Sequence, residues 1–348
     1  MSLRFFCCGF CLAVATSCWG QDEEPKPPVA DTTEMASAEA LMAPAQAAVD
    51  RGLAYLAGVQ QEDGSMGVGY GRNVAVVGLT GMAMLASGST PGRGPYGKNI
   101  QRSVDYLLEH TKPSGFITAD GSTSQGPMYG HGFATLLLAE AYGMSPRDEL
   151  RDKLDTAIKL IVSAQNEEGG WRYQPRPNDA DISVTICQIM ALRAARNAGL
   201  HVPNETVDRC LAYVRRCQNP DGGFGYMPRD ATSLFPRSAA GVVALYSAGV
   251  YEGDEVRRGL AYLEAQAPGG GVLRRRGHYY YGQYYAVQAM WQVGGERWNR
   301  WYPAIRDELL ASQQPAGNWS DSVGPHYATA MACIILQTPN DLVPIFQR

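Results

Sequence analysis

Asp179 and Asp181 stand two residues apart in "NDADIS" (residues 178–183), an acidic pair in a stretch with few other acids. Neighbouring carboxyl groups are the usual way to keep one of them protonated and ready to donate. On that basis Asp181 is a candidate acid or base and Asp179 its partner. A single Asp at the start of a helix is instead favoured as an anion that caps free N–H groups, so Asn178, Asp179 or Asp181 is equally a candidate cap. Other polar and aromatic residues recur at comparable places: His131, Arg229 with Asp230, "HYYYGQYY" (278–285), and His326 with Tyr327. On a helix Tyr281 and Tyr285 share a face with His278, and Tyr280 and Tyr284 share another. Such a face suits an isoprenoid chain, a carbocation or a sugar ring, and equally suits packing between helices. His131, His278 and His326 are candidate ligand contacts or hydrogen-bonded structural residues. No Cys-x-x-Cys or His spacing for zinc is present, and no cofactor motif, so neither metal nor cofactor is expected.

Something must bring these scattered residues together, and a repeat does so. Gln60, Gln165, Gln218, Gln266 and Gln313 each precede an apolar residue by six positions (Met66, Trp171, Phe224, Val272, Trp319), and His110 precedes Phe116 in the same way. A Gly falls four or five places after each of these starting residues. Six such units divide the chain near 47–99, 100–153, 154–206, 207–255, 256–303 and 304–348. Before the Gln lies an amphipathic helix, as in "DRCLAYVRRCQ", with apolar residues at three- and four-residue spacing. After the Gly comes a more apolar helix, such as "HGFATLLLAEAYGM", which must be buried on most sides. Six pairs of this kind and no strand pattern predict an all-α ring: an α/α toroid of six helix pairs. The inner and outer rings would surround a central cavity at the end where the inner helices begin. The candidate residues would converge there.

"QNEEGGW" (165–171) and "QQPAGNW" (313–319) resemble the repeat of the squalene and terpenoid cyclases and of the protein prenyltransferase β subunits. "QNPDGGF" (218–224) and "RGLAYLAGVQQEDGSM" (51–66) match it with Phe224 and Met66 at the aromatic place. The resemblance covers 47–348 and implies the toroid and an apolar or isoprenoid-like ligand in its cavity. It implies less about activity. The cyclases protonate an alkene with Asp-x-Asp-Asp-Thr at the start of an inner helix, and here "DADIS" has Ile182 where the last Asp belongs. The prenyltransferase zinc set of Asp, Cys and His is also incomplete, since Asp230-Ala231-Thr232 lacks the thiol. A non-catalytic binding or scaffold protein, or a toroidal polysaccharide lyase or hydrolase, remains an alternative.

Residues 1–20 read as an export signal, with Arg4 ahead of an apolar run too short to cross a bilayer as an ordinary helix. The protein is therefore expected to be exported, with Cys18 offering a lipoprotein variant. Residues 21–46, rich in Pro, Ala and acid, read as a disordered tether. Its acids account for the net charge of −4 and leave the rest balanced, which excludes a basic nucleic-acid surface. No transmembrane span is expected in the mature chain, 21–348, which leaves room for a peripheral membrane or protein partner. Of eight cysteines, four lie in the signal region; Cys210 and Cys217 on one helix would be about 10 Å apart, too far to bridge.

Overall fold

The difference between the two kinds of helix is visible in which residues they bury. In the computed structural model, which describes residues 32–67, 73–119, 126–266 and 277–347 (side chains from 43 onward), the helix Asn204–Arg216 buries Thr206, Cys210, Tyr213 and Val214, a single stripe. The helix Pro127–Met144 is buried on every side from Gly130 to Ala141. The same alternation runs through the chain. The outer helices are α1 (Thr32–Val59), α3 (Gly97–Glu109), α5 (Asp148–Ser163), α7 (Asn204–Arg216), α9 (Asp254–Ala265) and α11 (Gly295–Ser312). The inner ones are α2 (Val74–Leu85), α4 (Pro127–Met144), α6 (Ile182–Asn197), α8 (Phe235–Ser247), α10 (Tyr279–Val293) and α12 (Pro325–Gln337). Each inner helix packs on the next and α12 packs back on α2, which closes the ring. No strand occurs among the described residues, only isolated bridges.

The repeated Gln is the seam between units. The Gln165 amide donates to the Gly169 carbonyl of its own turn (2.8 Å) and to the Thr206 carbonyl in the next outer helix (2.9 Å). Gln218 does the same with Gly222 and Glu255, and Gln60 with Gly64 and Asn99. Gln313 reaches Ala48 of α1 at 2.8 Å, so the outer ring closes through the same kind of bond that Gln60, Gln165 and Gln218 make to their next outer helices. Gly169 has φ 96°, and a Cβ there would stand 2.1 Å from the Arg209 carbonyl oxygen, so both conformation and space require glycine. The aromatic residue ties its own unit: the Trp171 indole donates to Ile161 at the end of α5 (2.7 Å), while its backbone N–H donates to Thr185 of α6 (3.1 Å).

Leu41–Arg348 forms one compact unit; of the other, Met1–Ala40, the described part is the start of α1. Ala45 is fully buried, so packed helix begins earlier than the 47 read from the repeat. The export signal, Cys18, the first part of the tether and Val272 lie outside the described residues. Cys187, Cys210, Cys217 and Cys333 are free, buried thiols. Among the described residues no helix is long and apolar enough to cross a membrane.

After α12 the chain makes two short 3-10 turns, Thr338–Asn340 and Pro344–Phe346. The second packs against α6, although α12 itself neighbours α10 and α2. The C-terminal segment therefore crosses the ring at the end where the inner helices finish.

Candidate functional site

Asp181 is the N-cap of α6 and has no exposed surface. Its Oδ1 accepts from the N–H groups of Ser183 (2.8 Å) and Val184 (2.9 Å), which α6 otherwise leaves unbonded. Its Oδ2 accepts from the Tyr226 hydroxyl (3.3 Å) and lies 3.5 Å from Arg172 Nε. Arg172 also lies 3.5 Å from the exposed Asp179 carboxylate, and its guanidinium sits over the rings of Tyr173 (4.6 Å) and Tyr226 (5.1 Å). Burial pushes the Asp181 carboxyl up to about 6; the two backbone donors, Arg172 and Tyr226 pull the other way. Asp181 is thus a mostly ionised group at neutral pH with both oxygens engaged.

Tyr173 and Tyr226 share a 2.5 Å hydroxyl–hydroxyl bond. Because the Tyr226 proton goes to Asp181, the Tyr173 hydroxyl is the donor in that pair. A chain of two hydroxyls therefore leads from the partly exposed Tyr173 to a buried carboxylate. Around it stand Tyr129, whose ring lies 6.1 Å from Tyr173, and Arg237, which pairs with Asp230 (3.2 Å) and lies 5.9 Å from the Tyr226 ring. These residues come from the turns before α6 and α8 and from the starts of α4 and α8, the end at which a cavity mouth is expected. A groove of about 1030 Å³ lies on the outer side of Asp179, between Asn166, Glu168, Arg216, Met227 and Arg229.

Below the mouth, α10 fills the middle of the ring. The Tyr281 hydroxyl donates to the Ser183 carbonyl (3.0 Å), the Tyr285 hydroxyl meets Cys187 Sγ (3.4 Å) and the Tyr284 hydroxyl points at Met190 Sδ (3.8 Å), all on α6. Tyr284 also contacts Phe133 of α4, with ring centroids 6.1 Å apart. Tyr281 and Tyr285 do form one aromatic pair, at 4.9 Å and 72°. Side chains from one helix thus span the lumen to two others.

The structure brings Asp179, Asp181, Tyr281 and Tyr285 to one region and places the three histidines elsewhere. His131 is fully buried, and its Nδ1 accepts from the Ile117 N–H (3.2 Å). That is the position held by Thr185, Ser238 and Thr329 in other units, each accepting the N–H of its turn aromatic. Burial holds the His131 imidazole down at about 4, a neutral structural group. His326 similarly accepts from the Gly67 N–H (3.1 Å) and meets the Tyr55 ring edge-on. His278 is exposed, with φ 52°, one residue before α10 begins. It therefore does not share a helical face with Tyr281 and Tyr285, as the spacing alone suggested. Arg172, Tyr173 and Tyr226 were not singled out from sequence, yet Tyr173 and Tyr226 each stand two residues after a turn aromatic, Trp171 and Phe224. No group of three or more His, Cys, Asp or Glu able to hold a metal occurs among the described residues.

Residues 79–233 match the prenyltransferase alpha-alpha toroid domain family. Drimenyl diphosphate synthase of Streptomyces showdoensis is 25% identical over 177 residues, which is 51% of this chain and 32% of that protein. A second drimenyl diphosphate synthase, from Streptantibioticus cattleyicolor, is 28% identical over 115 residues, 33% of this chain and 21% of its own length. The chain thus spans a third or less of the curated relatives it matches. Among solved structures, a variant of the type II terpene cyclase MstE from Scytonema, in complex with geranylgeranyl dihydroxybenzoate, is similar with a TM-score of 0.59. Its identity is 14%, over 88% of this chain and 99% of that one. Cellobiose 2-epimerase from Spirochaeta thermophila has a TM-score of 0.65 at 13% identity, over 89% of this chain and 99% of that one. An α-1,6-mannanase variant from Salegentibacter has a TM-score of 0.62 at 9% identity, over 85% and 98%. At such identities these likenesses show the fold.

Proposed function

From the likeness to the prenyltransferase alpha-alpha toroid domain over residues 79–233, we propose that this protein binds an apolar or isoprenoid-like molecule at the ring mouth and does not protonate alkenes. The observation that carries this reading is the state of Asp181. Alkene protonation requires a carboxyl that is protonated and free to face the substrate, kept so by neighbouring carboxylates. Asp181 instead caps a helix with one oxygen and meets Tyr226 and Arg172 with the other. Asp179, the acid that shares Arg172 with it, is exposed, and Asp230 is taken up by Arg237 and the Tyr226 N–H. Tyr129, Tyr173, Tyr226 and Tyr281 supply the aromatic surface for an apolar ligand, and the hydroxyl chain would let Asp181 act as a mild base. With an export signal, the protein would meet its ligand outside the cytoplasm.

Native mass spectrometry of the exported protein, purified without strong detergent, tests the proposal. A discrete extra mass released by organic solvent supports it. Cyclisation of an added polyprenyl substrate, lost in Asp181→Asn, would overturn it. A second reading, a scaffold without a small ligand, is favoured by the tyrosines that already span the lumen. It predicts a bare polypeptide mass and no thermal shift with polyprenols. A shift with a mannan or a cello-oligosaccharide would move the reading to glycan binding.

A further inference from the structure

Residues 341–347 lie across the end of the ring opposite the Asp181 mouth, and how they are held bears on access to the lumen. Val343 and Phe346 are buried, while Leu342 just before them in sequence is half exposed. Phe346 meets Tyr284 edge-on at 6.2 Å, and the Ile345 N–H donates to the Glu140 carboxyl of α4. Among the described residues, two further side-chain bonds of this region are long. Asn340 reaches the Ala86 carbonyl at 3.4 Å and the Trp291 indole reaches Asp341 at 3.4 Å. The backbone bonds of the segment itself are local: Phe346 to Val343, Gln347 to Pro344. They hold its turn together without attaching it to the ring.

Two features weaken the closed arrangement. Asp341 has φ 54°, a left-handed conformation that costs about 1 kcal/mol or more for a residue with a side chain, and it stands where the chain turns from α12 across the ring. Glu140 is 97% buried (3% exposed), yet its Oε2 has no hydrogen-bond partner, so closure leaves a polar atom without compensation. Admission of water to Glu140 would relieve that cost.

We propose that residues 341–347 are a displaceable stopper, hinged at Asp341, whose withdrawal opens the lumen beside Glu140, Phe133 and Tyr284 to apolar molecules from the end opposite the mouth. The two ends of the ring then have separate access, whatever ligand the mouth takes.

Hydrogen exchange on the full-length exported protein reads the opening directly. The amides of 341–347 should exchange at least about 100-fold faster than those in the middle of α4 and α10, as a local opening requires. In parallel, a chain ending at Asp341 and the variant Phe346→Ala should each keep a cooperative melt and brighten anilinonaphthalene sulfonate severalfold over the parent. Exchange of 341–347 at the rate of the inner helices would overturn the proposal, because the segment would then leave only when the ring unfolds. Folded variants that leave the dye dark would overturn it too. A truncated chain that fails to fold would show the segment to be integral core, which is equally against a stopper.

Discussion

Asp181 and Glu140 are both buried carboxyl groups on inner helices or their caps, at opposite ends of the ring, and they differ in how many donors surround them. Asp181 has two backbone N–H groups, a tyrosine hydroxyl and a guanidinium, and burial raises it only to about 6. Glu140 has the single N–H of Ile345, and burial raises it to about 8. Desolvation acts on both; the number of donors decides how far it wins. One end of the ring is consequently a charged network that fixes the backbone, and the other a neutral acid under a short terminal turn. Only the first is built to hold an anion.

Loss of the Asp181 side chain is expected to have the largest effect. Asp181→Ala removes a helix cap and leaves Arg172 facing a void, and is expected to cost about 4 kcal/mol, read as a shift in denaturation midpoint. A cost below about 1 kcal/mol would mean the network is not structural. At the other end the substitution should stabilise instead. A carboxyl whose folded pKa is raised stabilises fully below its unfolded value near 4.5 and loses that contribution as pH rises to about 8. Glu140→Gln should therefore gain on the parent by on the order of 3 kcal/mol between pH 4.5 and 7, measured by chemical denaturation at each pH. A pH-independent difference would show that Glu140 is not held neutral.

His131 sharpens the comparison from a third position, with the opposite direction. Its folded pKa is lowered to about 4, so its contribution is complete above about 6.5 and disappears as pH falls towards 4. The loss is on the order of 3 kcal/mol. His131→Thr, which installs the acceptor found at Thr185 and Thr329, should flatten that acid limb while retaining a partner for the Ile117 N–H; an unchanged limb would place the titration elsewhere. The smallest expected effect is that of Tyr226→Phe. It removes one donor from Asp181, raising the carboxyl further by carbon-edited NMR titration and costing about 1 kcal/mol.

The ring itself was legible in the sequence because the seam is made by residue types that recur: Gln to bond the next outer helix, Gly for a turn without room for Cβ, an aromatic to anchor its own helix. The starts of the inner helices followed from the same register, and with them the placement of Asp181, Tyr281 and Tyr285. Sequence left His131 between a ligand contact and a hydrogen-bonded structural residue, because only the fold shows that it performs the task that Thr185 and Ser238 perform with hydroxyls. The notion that His278 shares a face with Tyr281 failed because the chain turns left-handed just before α10. Arg172, Tyr173 and Tyr226 act only through contact between adjacent turns, which a single unit's sequence does not display. Glu140 and the C-terminal segment were invisible for a different reason. One polar residue in an apolar helix and a tail outside the repeat carry no periodicity, and only the closed ring brings them together.

Whether Asp181 holds the mouth of the ring or donates protons to alkenes is read by measuring, on the same preparations of parent and Asp181→Asn, the melting temperature and the conversion of a geranylgeranyl substrate by mass spectrometry. With Asp181 structural, the melting temperature is lower by about 3 °C in the variant and neither protein yields cyclised product. Cyclised product from the parent, absent from a variant that melts at the parent's temperature, would contradict that structural role.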